Sequence, residues 1–282
     1  MDWSKAKTIL IIAFIITNLL LGYALYSNVT IDEPTIKEDF IQDAIKLLSD
    51  KNIKLNCEIP KEIPALSMIT VKYEKREVAD LNNAFFNGFG YEDKKEESRV
   101  KIKKDESEIL TILDGRNIIY ENNNDESKYS SLNKEEAIQI GQKFLREKGY
   151  SLDDMKLTFY KEEGNTYFLE YTKIYEDSYV ENTYTKLEID HRGVKKFERL
   201  WMNVIDESDG KIYISTAPKA VLALLTMEET FGKTIDEISL CYYFDPQKQA
   251  AVGNPQNTKQ GKAIPAWRIE FTDGYKVLLD EY

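Results

Sequence analysis

The sequence predicts an α+β protein with one N-terminal transmembrane helix, followed by two extracytoplasmic domains in which helices pack on one face of an antiparallel sheet. Three observations predict this fold class: an uncharged apolar run at the N-terminus, amphipathic segments with a helical period, and alternating segments separated by tight-turn signals. Helix signals followed by several strand signals occur more than once along the chain, which is typical of α+β domains.

The uncharged run begins at Thr8 and ends at Ile31, and its 24 residues include no Asp, Glu, Lys, Arg or His. A bilayer core about 30 Å thick needs roughly 20 helical residues, so we expect a transmembrane helix over residues 8–27. Two lysines precede the run and four acidic residues follow it: Lys5, Lys7, Asp32, Glu33, Glu38 and Asp39. Because positively charged flanks remain in the cytoplasm, residues 1–7 are predicted to be cytoplasmic and the rest extracytoplasmic, in a single-pass protein of the cell membrane.

A cleaved signal peptide is the alternative interpretation of this run. The apolar region of a signal peptide is usually about 7–15 residues long and is followed by small residues at the cleavage site. Here the run is longer, and Leu25 and Tyr26 crowd the nearest candidate site. We therefore expect an uncleaved anchor.

Small and polar residues interrupt the apolar surface of the predicted helix. Thr17 lies on one stripe with Ala13, and Asn18 lies on the neighbouring stripe with Gly22. Small residues let a second helix approach closely, and an intramembrane Asn needs a hydrogen-bond partner. The functional interpretation is a helix–helix contact through Ala13, Thr17, Asn18 and Gly22. The alternative is that a single Thr and a single Asn are simply tolerated.

Composition limits the number of domains, the classes of partner and the number of disulfide bridges. The chain has 282 residues, of which 42% are hydrophobic, so its outer part can form one large or two small domains. The formal net charge of −11 argues against nucleic acid as a partner and against docking on anionic lipid head groups. Membrane lipid is therefore expected as a partner only through the helix. Cys57 and Cys241 can form at most one bridge, and two small buried residues are the simpler expectation.

Apolar residues recur with a helical period in four segments, the last of them short: 36–49, 134–148, 218–229 and 78–86. Thr35 and Glu38 have the spacing of a capping box at the first segment. Asn133 is suited to cap the second, and Gly149 is suited to end it. Pro218 is well placed for the first turn of the third.

Strand signals occupy the rest of the outer part. Four tight-turn signals separate alternating segments, at residues 114–115, 164–165, 190–193 and 273–274, and short turns imply antiparallel pairing. The polar stretch at residues 122–131 is the best linker. It divides the outer part into an α+β domain at 33–125 and a second at 131–282, which contains a long loop at 247–262.

No sequence motif indicates catalysis or the binding of a cofactor or metal. His191 is the only histidine and lies at a predicted turn, so Ser–His and Cys–His arrangements have no support. The acidic turn at residues 206–210 lacks the spacing of an EF-hand loop. Alternation places Trp267 on the buried face of a strand and Arg268 on the solvated face. We therefore predict no catalytic, cofactor-binding or metal-binding residue.

The chain opens with residues 1–9, MDWSKAKTI, which run directly into the apolar helix with Asn18 and the leucines that follow it. This start resembles the YycI (WalI) family, small membrane proteins of low-GC Gram-positive bacteria that accompany the WalK–WalR (YycG–YycF) two-component system. The length, the single anchor and the acidic outer part agree with that family, as do the strand at residues 265–268 and the turn at 273–274.

The resemblance implies a regulatory, non-catalytic role in signal transduction that controls cell-wall homeostasis. Such proteins associate with the sensor histidine kinase WalK (YycG) and with the membrane protein YycH, and members differ in whether they restrain or promote the kinase. It also implies two outer domains like those of YycH, with a C-terminal half similar to PepSY-type modules. The membrane contact of the family corresponds here to the side of the helix with Ala13, Thr17, Asn18 and Gly22. No catalytic residue and no cofactor is implied.

Two other functions remain open. The chain could be an extracytoplasmic receptor that binds peptides or cell-wall fragments, which predicts a sizeable concave pocket lined by Tyr and Trp in the second half. It could also be an enzyme such as a wall hydrolase, which requires convergent carboxylates with raised pKa values in a deep cleft.

Overall fold

The computed structural model describes residues 3–29, 36–96, 98–249 and 259–280. In these ranges the chain is a mixed α+β fold, in which helices accompany a large and mainly antiparallel sheet. The α+β class predicted from the sequence is confirmed, whereas the likeness to YycH and to PepSY-type modules stays a prediction.

Six α-helices lie between the N-terminus and Gln249 in the described ranges. In the described ranges they are α1 (Trp3–Val29), α2 (Glu38–Asp50), α3 (Val78–Phe86), α4 (Lys134–Glu147), α5 (Ala217–Val221) and α6 (Pro246–Gln249). Two short 3-10 turns follow α5, at Leu222–Thr226 and Glu228–Thr230.

The N-terminal helix α1 has 27 residues and contains the run predicted to span the membrane. Its large apolar side chains between Leu10 and Tyr23 are exposed, from 52% for Ile12 to 73% for Leu10. By length and hydropathy, no helix within the described ranges qualifies as a transmembrane segment. The span at residues 8–27 and the topology that follows from it stay predictions.

Three of the four predicted amphipathic helices are confirmed as α2, α3 and α4. In α4 the capping box is complete: the Asn133 side chain accepts from the Glu136 backbone N–H, and the Glu136 carboxylate accepts from the Asn133 N–H, both at 2.9 Å. Gly149 follows α4 with φ +77°, a conformation that glycine adopts easily. The cap of α2 differs from the prediction, because Lys37 occupies the N-cap position without a side-chain bond, and Thr35 lies outside the described residues.

The third predicted helix, at 218–229, is wrong in its length. The α-helical part ends at Val221, and the chain continues in 3-10 turns. The Thr226 hydroxyl donates to Ala223 O, and the Thr230 hydroxyl donates to Leu224 O and Met227 O. These bonds use backbone carbonyls that a continuing α-helix would pair with its own N–H groups.

The strands form one sheet of 14 members within the described ranges. They are β1 (Lys54–Leu55), β2 (Ala65–Tyr73), β3 (Tyr91–Lys95), β4 (Arg99–Lys103), β5 (Glu108–Leu113), β6 (Asn117–Asn122), β7 (Met155–Glu163), β8 (Thr166–Tyr175), β9 (Ser178–Asp190), β10 (Gly193–Leu200), β11 (Met202–Tyr213), β12 (Thr234–Tyr243), β13 (Gln260–Phe271) and β14 (Lys276–Leu279). The main order is β11-β2-β13-β12-β9-β10-β6-β5-β4-β3, with β1 beside β12, β14 beside β13, and β7 beside β8, which pairs with β9.

All four predicted tight turns are confirmed. They connect β5 to β6, β7 to β8, β9 to β10, and β13 to β14, and each joins an antiparallel pair. The acidic segment at residues 206–210 is not a turn, which corrects that expectation. It lies within β11, whose register against β2 shifts between Glu207 and Lys211.

Two hydrophobic cores hold the helices on the sheet. The first, which we call the central core, joins α3 and α4 to β4–β6 and β8–β10, with Leu81, Leu145 and Phe197 fully buried. Gly141 lets α4 approach closely, because a Cβ there would lie 2.9 Å from Leu187 Cδ1. The second, the terminal core, joins α2 and α5 to β12–β14 around Trp267.

Strand pairs cross the linker predicted at residues 122–131. β2 pairs with β11 and β13, and β6 pairs with β10. The central core likewise includes side chains from both sides of the linker, and the terminal core combines α2 with strands from the end of the chain. The boundaries at 33–125 and 131–282 therefore stay predictions about domains, while the strands on both sides of the linker belong to one sheet.

Candidate functional site

The predicted contact residues of α1 are all exposed to the surroundings. The Thr17 hydroxyl donates to Ala13 O, and the Asn18 amide nitrogen donates to Phe14 O, both at 2.8 Å. A Cβ on Gly22 would meet no atom within 4 Å. Because the helix already pairs the Thr17 hydroxyl and one donor of Asn18, the need for an external partner is smaller than the sequence alone indicates. The contact role stays a prediction.

Arg268 is completely buried, which corrects the expectation that it lies on a solvated face. Its guanidinium donates from Nε to Glu181, from Nη1 to Glu237 and from Nη2 to Glu270, at 2.7, 2.9 and 2.5 Å. Its Cζ lies 4.2 Å from the ring centre of Tyr179. We call these five residues the Arg268 cluster.

The position of Arg268 in the sheet explains why alternation is misleading here. β13 lies between β12 and β2 along the sheet, and six consecutive residues, 266–271, are buried on both faces of the strand. Trp267 is buried as predicted, and its indole N–H donates to Ser215 O at 2.7 Å. A strand covered on both faces loses the alternation on which the prediction depends.

The Arg268 cluster places three carboxylates around one guanidinium. Burial disfavours the charged form of Arg268, but the attraction of Glu181 and Glu270 outweighs it, so the pKa of Arg268 lies above its ordinary value. Burial raises the pKa of Glu270 although Arg268 opposes this. Lys156 of β7 adds a second positive charge, with Nζ 3.7 Å from Glu237. The cluster thus joins β9, β12 and β13 through ion pairs.

A second buried arginine joins strands of the central core to the end of β2. Arg199 of β10 donates to Glu74, which follows β2, at 2.7 Å and to Thr185 at 2.8 Å. Its Cζ lies 4.2 Å from the ring centre of Trp201. Ion pairs of two buried arginines therefore link β9 to β12 and β13, and β10 to the end of β2.

Three cavities of about 410, 390 and 410 Å³ meet at Phe159 of β7, which lines all of them. The first lies on the face of the sheet opposite α4, where Glu170 and Lys186 alternate with the buried Leu169 and Leu187. The second lies beside the turn between β13 and β14. The third lies between β7 and the ends of β12 and β13. We call the three cavities together the Phe159 groove.

The lining of the Phe159 groove is partly what the receptor interpretation predicts. The cavities lie in the second half of the chain, and their lining includes the tyrosines Tyr160, Tyr179, Tyr184 and Tyr275. None of the residues that line these three cavities is a tryptophan. Charged side chains occupy much of the remaining lining, among them Lys186, Glu188 and Lys196.

Other residues with reactive side chains lie outside the groove and the cluster. His191 is exposed at the turn between β9 and β10, where its carbonyl accepts from the N–H groups of Lys128 and Tyr129 at 2.9 Å. Cys57 and Cys241 are free thiols, and burial raises the pKa of each. No group of His, Cys, Asp and Glu that could hold a metal ion occurs among the described residues.

The sequence does not predict the Arg268 cluster, and the receptor hypothesis predicts a pocket in the second half without naming the residues that form the Phe159 groove. The i, i+2 spacing of Arg268 and Glu270 places both on one side of a strand, which is a weak signal for a buried pair. The contributions of Glu181, Glu237 and Phe159 depend on strand order, and nothing local in the sequence reports strand order.

Comparison with known proteins gives one family match. A family model described as "YycI protein" matches residues 31–278 of the chain. No curated protein matches it.

Two solved structures are similar in part. One is an uncharacterized protein from Eubacterium rectale ATCC 33656, with a TM-score of 0.48 and 12% identity over 82% of this chain and 88% of that chain. The other is the C-terminal domain of YpeB from Bacillus megaterium, with a TM-score of 0.42 and 11% identity over 74% of this chain and 94% of that chain.

Proposed function

Because the chain belongs to the YycI family, we propose that it is a non-catalytic, membrane-anchored regulator of a two-component sensor histidine kinase of the WalK (YycG) type. In this proposal it acts with a YycH-like membrane protein in cell-wall homeostasis. The observation that carries the proposal is the extent of the family match, residues 31–278, which includes thirteen strands of the sheet and all of the fourteenth except Leu279. The sign of its effect on the kinase is left open.

Anchoring in the cell membrane through α1 is part of this proposal. It is supported by the 24 uncharged residues from Thr8 to Ile31 and by the exposure of the apolar side chains between Leu10 and Tyr23. The lysines before the run and the acids after it favour a cytoplasmic N-terminus and an extracytoplasmic sheet. In this arrangement Ala13, Thr17, Asn18 and Gly22 face lipid or a neighbouring helix.

The ion pairs of the buried side chains are consistent with a rigid protein that presents a fixed surface to its partners. In the described part of the chain, the buried Asp, Glu, Lys and Arg side chains are engaged in ion pairs, as in the Arg268 cluster and at Arg199. Glu270 has a raised pKa, but its carboxylate is held by Arg268 at 2.5 Å. A general acid needs an available proton beside a substrate, so this arrangement favours a structural role for Glu270.

Capture of partners from native membranes tests the proposal. The full chain carrying an affinity tag is crosslinked in membranes, and the captured proteins are identified by mass spectrometry. We expect a sensor histidine kinase and a YycH-like protein to be enriched over a control with an unrelated single-pass protein. Absence of any histidine kinase from the captured set contradicts the proposal.

A second candidate function is supported by a specific observation. The Phe159 groove offers three adjoining cavities of about 390 to 410 Å³ each, within the volume range of ligand sites. A receptor that binds a peptide or a cell-wall fragment would use such a groove. The discriminating measurement is saturable binding of a defined ligand to the purified full chain in detergent.

A further inference from the structure

One edge of β3 carries no strand. β3 is the last strand in the main order of the sheet, and in the described part of the chain it pairs with β4 alone. Just beyond its end, Glu96 and Arg99 exchange both of their backbone hydrogen bonds, at 2.7 and 3.3 Å. Bonded and non-bonded pairs alternate along an antiparallel ladder. The N–H and C=O groups of Lys95, the neighbouring residue, therefore point away from β4.

A β-bulge gives Glu92 the same orientation. The register of β3 against β4 shifts around Asp93, which is an extra residue in the strand. Lys95 lies opposite Val100. Because of the bulge, Glu92 lies opposite Ile102, only two positions further along β4. Residues two positions apart on a strand bond toward the same side, so the backbone groups of Glu92 also point away from β4 and are open to a further strand.

Each face of β3 carries one acidic and one basic side chain. Glu92 and Lys95 lie on the face of the central core, because their partner residues on β4 belong to that core or pack against it. Lys94 lies on the opposite face. Asp93 shares that face, where its carboxylate is 3.6 Å from Lys103 Nζ. All four charged residues of β3 are exposed.

Two copies of β3 have complementary charges when they pair antiparallel about a two-fold axis between Asp93 and Lys94. Glu92 then lies opposite Lys95 of the second copy on the core face, and Asp93 lies opposite Lys94 of that copy on the other face. The axis repeats each pair, so the outward backbone groups meet and four opposite-charge pairs form. Opposite charges across two strands stabilise their pairing, and like charges destabilise it. The arrangement also offers a carboxylate to Lys94, which within one chain lies opposite the like charge of Lys101.

Two aromatic side chains add apolar surface beside this edge. Phe89 is 81% exposed and Tyr91 is 50% exposed. The Asn82 side chain fixes the loop between α3 and β3, because it donates to Gly90 O and accepts from the Gly90 N–H, both at 2.9 Å. Exposed aromatic side chains on a fixed backbone are typical anchors of protein interfaces.

We propose that β3 of one copy of this chain pairs with β3 of a second copy, so that the two sheets join into one. A charged edge strand repels most other strands, and the order Glu-Asp-Lys-Lys makes the chain's own β3 a strand that it accepts. Strands of five residues bury less than the roughly 1,200–2,000 Å² of stable complexes. We therefore expect a weak dimer that forms where copies are concentrated in a membrane, so its strength rests on the proposed anchor and not on the kinase.

Sedimentation equilibrium of the full chain in density-matched detergent micelles measures this association. Glu92→Lys with Asp93→Lys makes the charged segment of β3 wholly basic, and Lys94→Glu with Lys95→Glu makes it wholly acidic. We expect the parent chain to form a dimer. Either variant alone should have an association constant lower by about tenfold or more, because all four pairs become like-charged. An equal mixture of the two variants should associate again, as a mixed dimer.

Two further variants serve as controls. Asp206→Lys with Asp209→Lys makes the same change of net charge as the basic variant, at exposed positions of β11 at the other end of the sheet, and should leave the association nearly unchanged. In the second control all four charges of β3 are exchanged: Glu92→Lys, Asp93→Lys, Lys94→Asp and Lys95→Glu. This segment is again self-complementary, so we expect it to associate like the parent chain.

A parent chain that stays monomeric at the highest micellar concentration overturns the proposal. Unchanged association in both charge variants assigns the contact to another surface, such as α1, and overturns the β3 contact. Equal weakening by the β11 variant, or failure of the mixed variants to associate, contradicts the pairing of charges. Capture of the kinase is a separate measurement, so failure of self-association leaves the regulatory function standing, and the reverse also holds.

Discussion

Gly274 at the turn between β13 and β14 lies so close to Phe159 of β7 that a Cβ on this glycine would stand 2.8 Å from Cε2 of the ring. The two residues come from opposite ends of the second half of the chain. Their contact joins β7 to the last hairpin, and both residues line the second and third cavities of the groove.

We predict that Gly274→Ala destabilises the protein by about 2 to 4 kcal/mol. Gly274 has φ +81°, which an alanine adopts with strain, and the added methyl also collides with the Phe159 ring. Chemical denaturation of the full chain in detergent measures the loss.

Gly232→Ala is the matched control for this variant. Gly232 has φ +77°, but a Cβ there meets no atom within 4 Å, so its substitution has the backbone strain without the collision. We expect its loss to be smaller, about 1 kcal/mol. Equal losses in the two variants would show that the contact with Phe159 contributes nothing.

Replacement of Arg268 should be among the most damaging single changes. Arg268→Leu leaves Glu181 and Glu270 buried without their partner, and breaking a buried ion pair from one side typically costs about 3–5 kcal/mol. Burial already raises the pKa of Glu270 in the folded state, and without Arg268 it lies further above the unfolded value. The stability lost at neutral pH should therefore return in part as the pH falls and Glu270 takes up a proton.

A second variant separates loss of the ion pairs from loss of packing. Adding Glu181→Gln and Glu270→Gln to Arg268→Leu removes the unpaired charges, and we expect it to recover stability at pH 7 and to lose the pH dependence. A loss for Arg268→Leu that stays constant between neutral and mildly acidic pH contradicts the ion-pair account.

Replacement of Asp190 should change stability with pH in the direction opposite to that of Arg268→Leu. Burial acts to raise its pKa, but hydrogen bonds and attraction from Arg192 outweigh burial and hold the pKa below the ordinary value of 3.8. Such a group stabilises the fold above its unfolded pKa, and the contribution disappears as the pH falls through the folded pKa.

Asp190→Asn removes the charge and keeps an oxygen that can accept from the Arg192 backbone N–H, which Asp190 Oδ1 now accepts at 2.8 Å. We expect it to be less stable than the parent by about 1–3 kcal/mol at pH 7, with the two curves converging below pH 3.8. Denaturation curves across this pH range measure the difference in the free energy of unfolding. A difference that does not change with pH contradicts a stabilising role for the Asp190 charge.

The polar positions of α1 predict a change in partner capture. Asn18→Leu removes the amide, and we expect the yield of crosslinked kinase to fall severalfold because an interhelical hydrogen bond is worth roughly 1 kcal/mol. Ile12→Ala is the control, since Ile12 lies outside both stripes of the helix. If capture is equally efficient after the whole anchor is exchanged for an unrelated one, α1 is only a tether.

The helices and turns of this fold could be predicted because their causes are local. The apolar stripe of α4 and its Asn133–Glu136 capping box lie within a few residues of one another, and so do the signals for the four confirmed turns. The third predicted helix failed where the hydroxyls of Thr226 and Thr230 bind backbone carbonyls, a competition that apolar periodicity does not report.

The groove and the Arg268 cluster could not be predicted because they depend on strand order. Glu181 and Arg268 are 87 residues apart and meet because β9, β12 and β13 are neighbours in the sheet. Alternation placed Arg268 in solvent because it assumes one wet face, whereas β13 is buried on both faces around this residue. Composition alone distinguishes the helix positions Ala13, Thr17, Asn18 and Gly22 in an apolar run, and their contact role stays a prediction.

The rate of kinase autophosphorylation in proteoliposomes is the most direct test of whether this chain regulates the kinase. A WalK-type kinase is reconstituted with and without the full chain, in lipid at matched protein ratios, with an unrelated single-pass protein as the control. If the chain regulates the kinase, it changes the rate severalfold, in a direction that the measurement assigns, and the control protein does not. An unchanged rate across a range of ratios, with both proteins present in the same vesicles, contradicts regulation of the kinase by this chain.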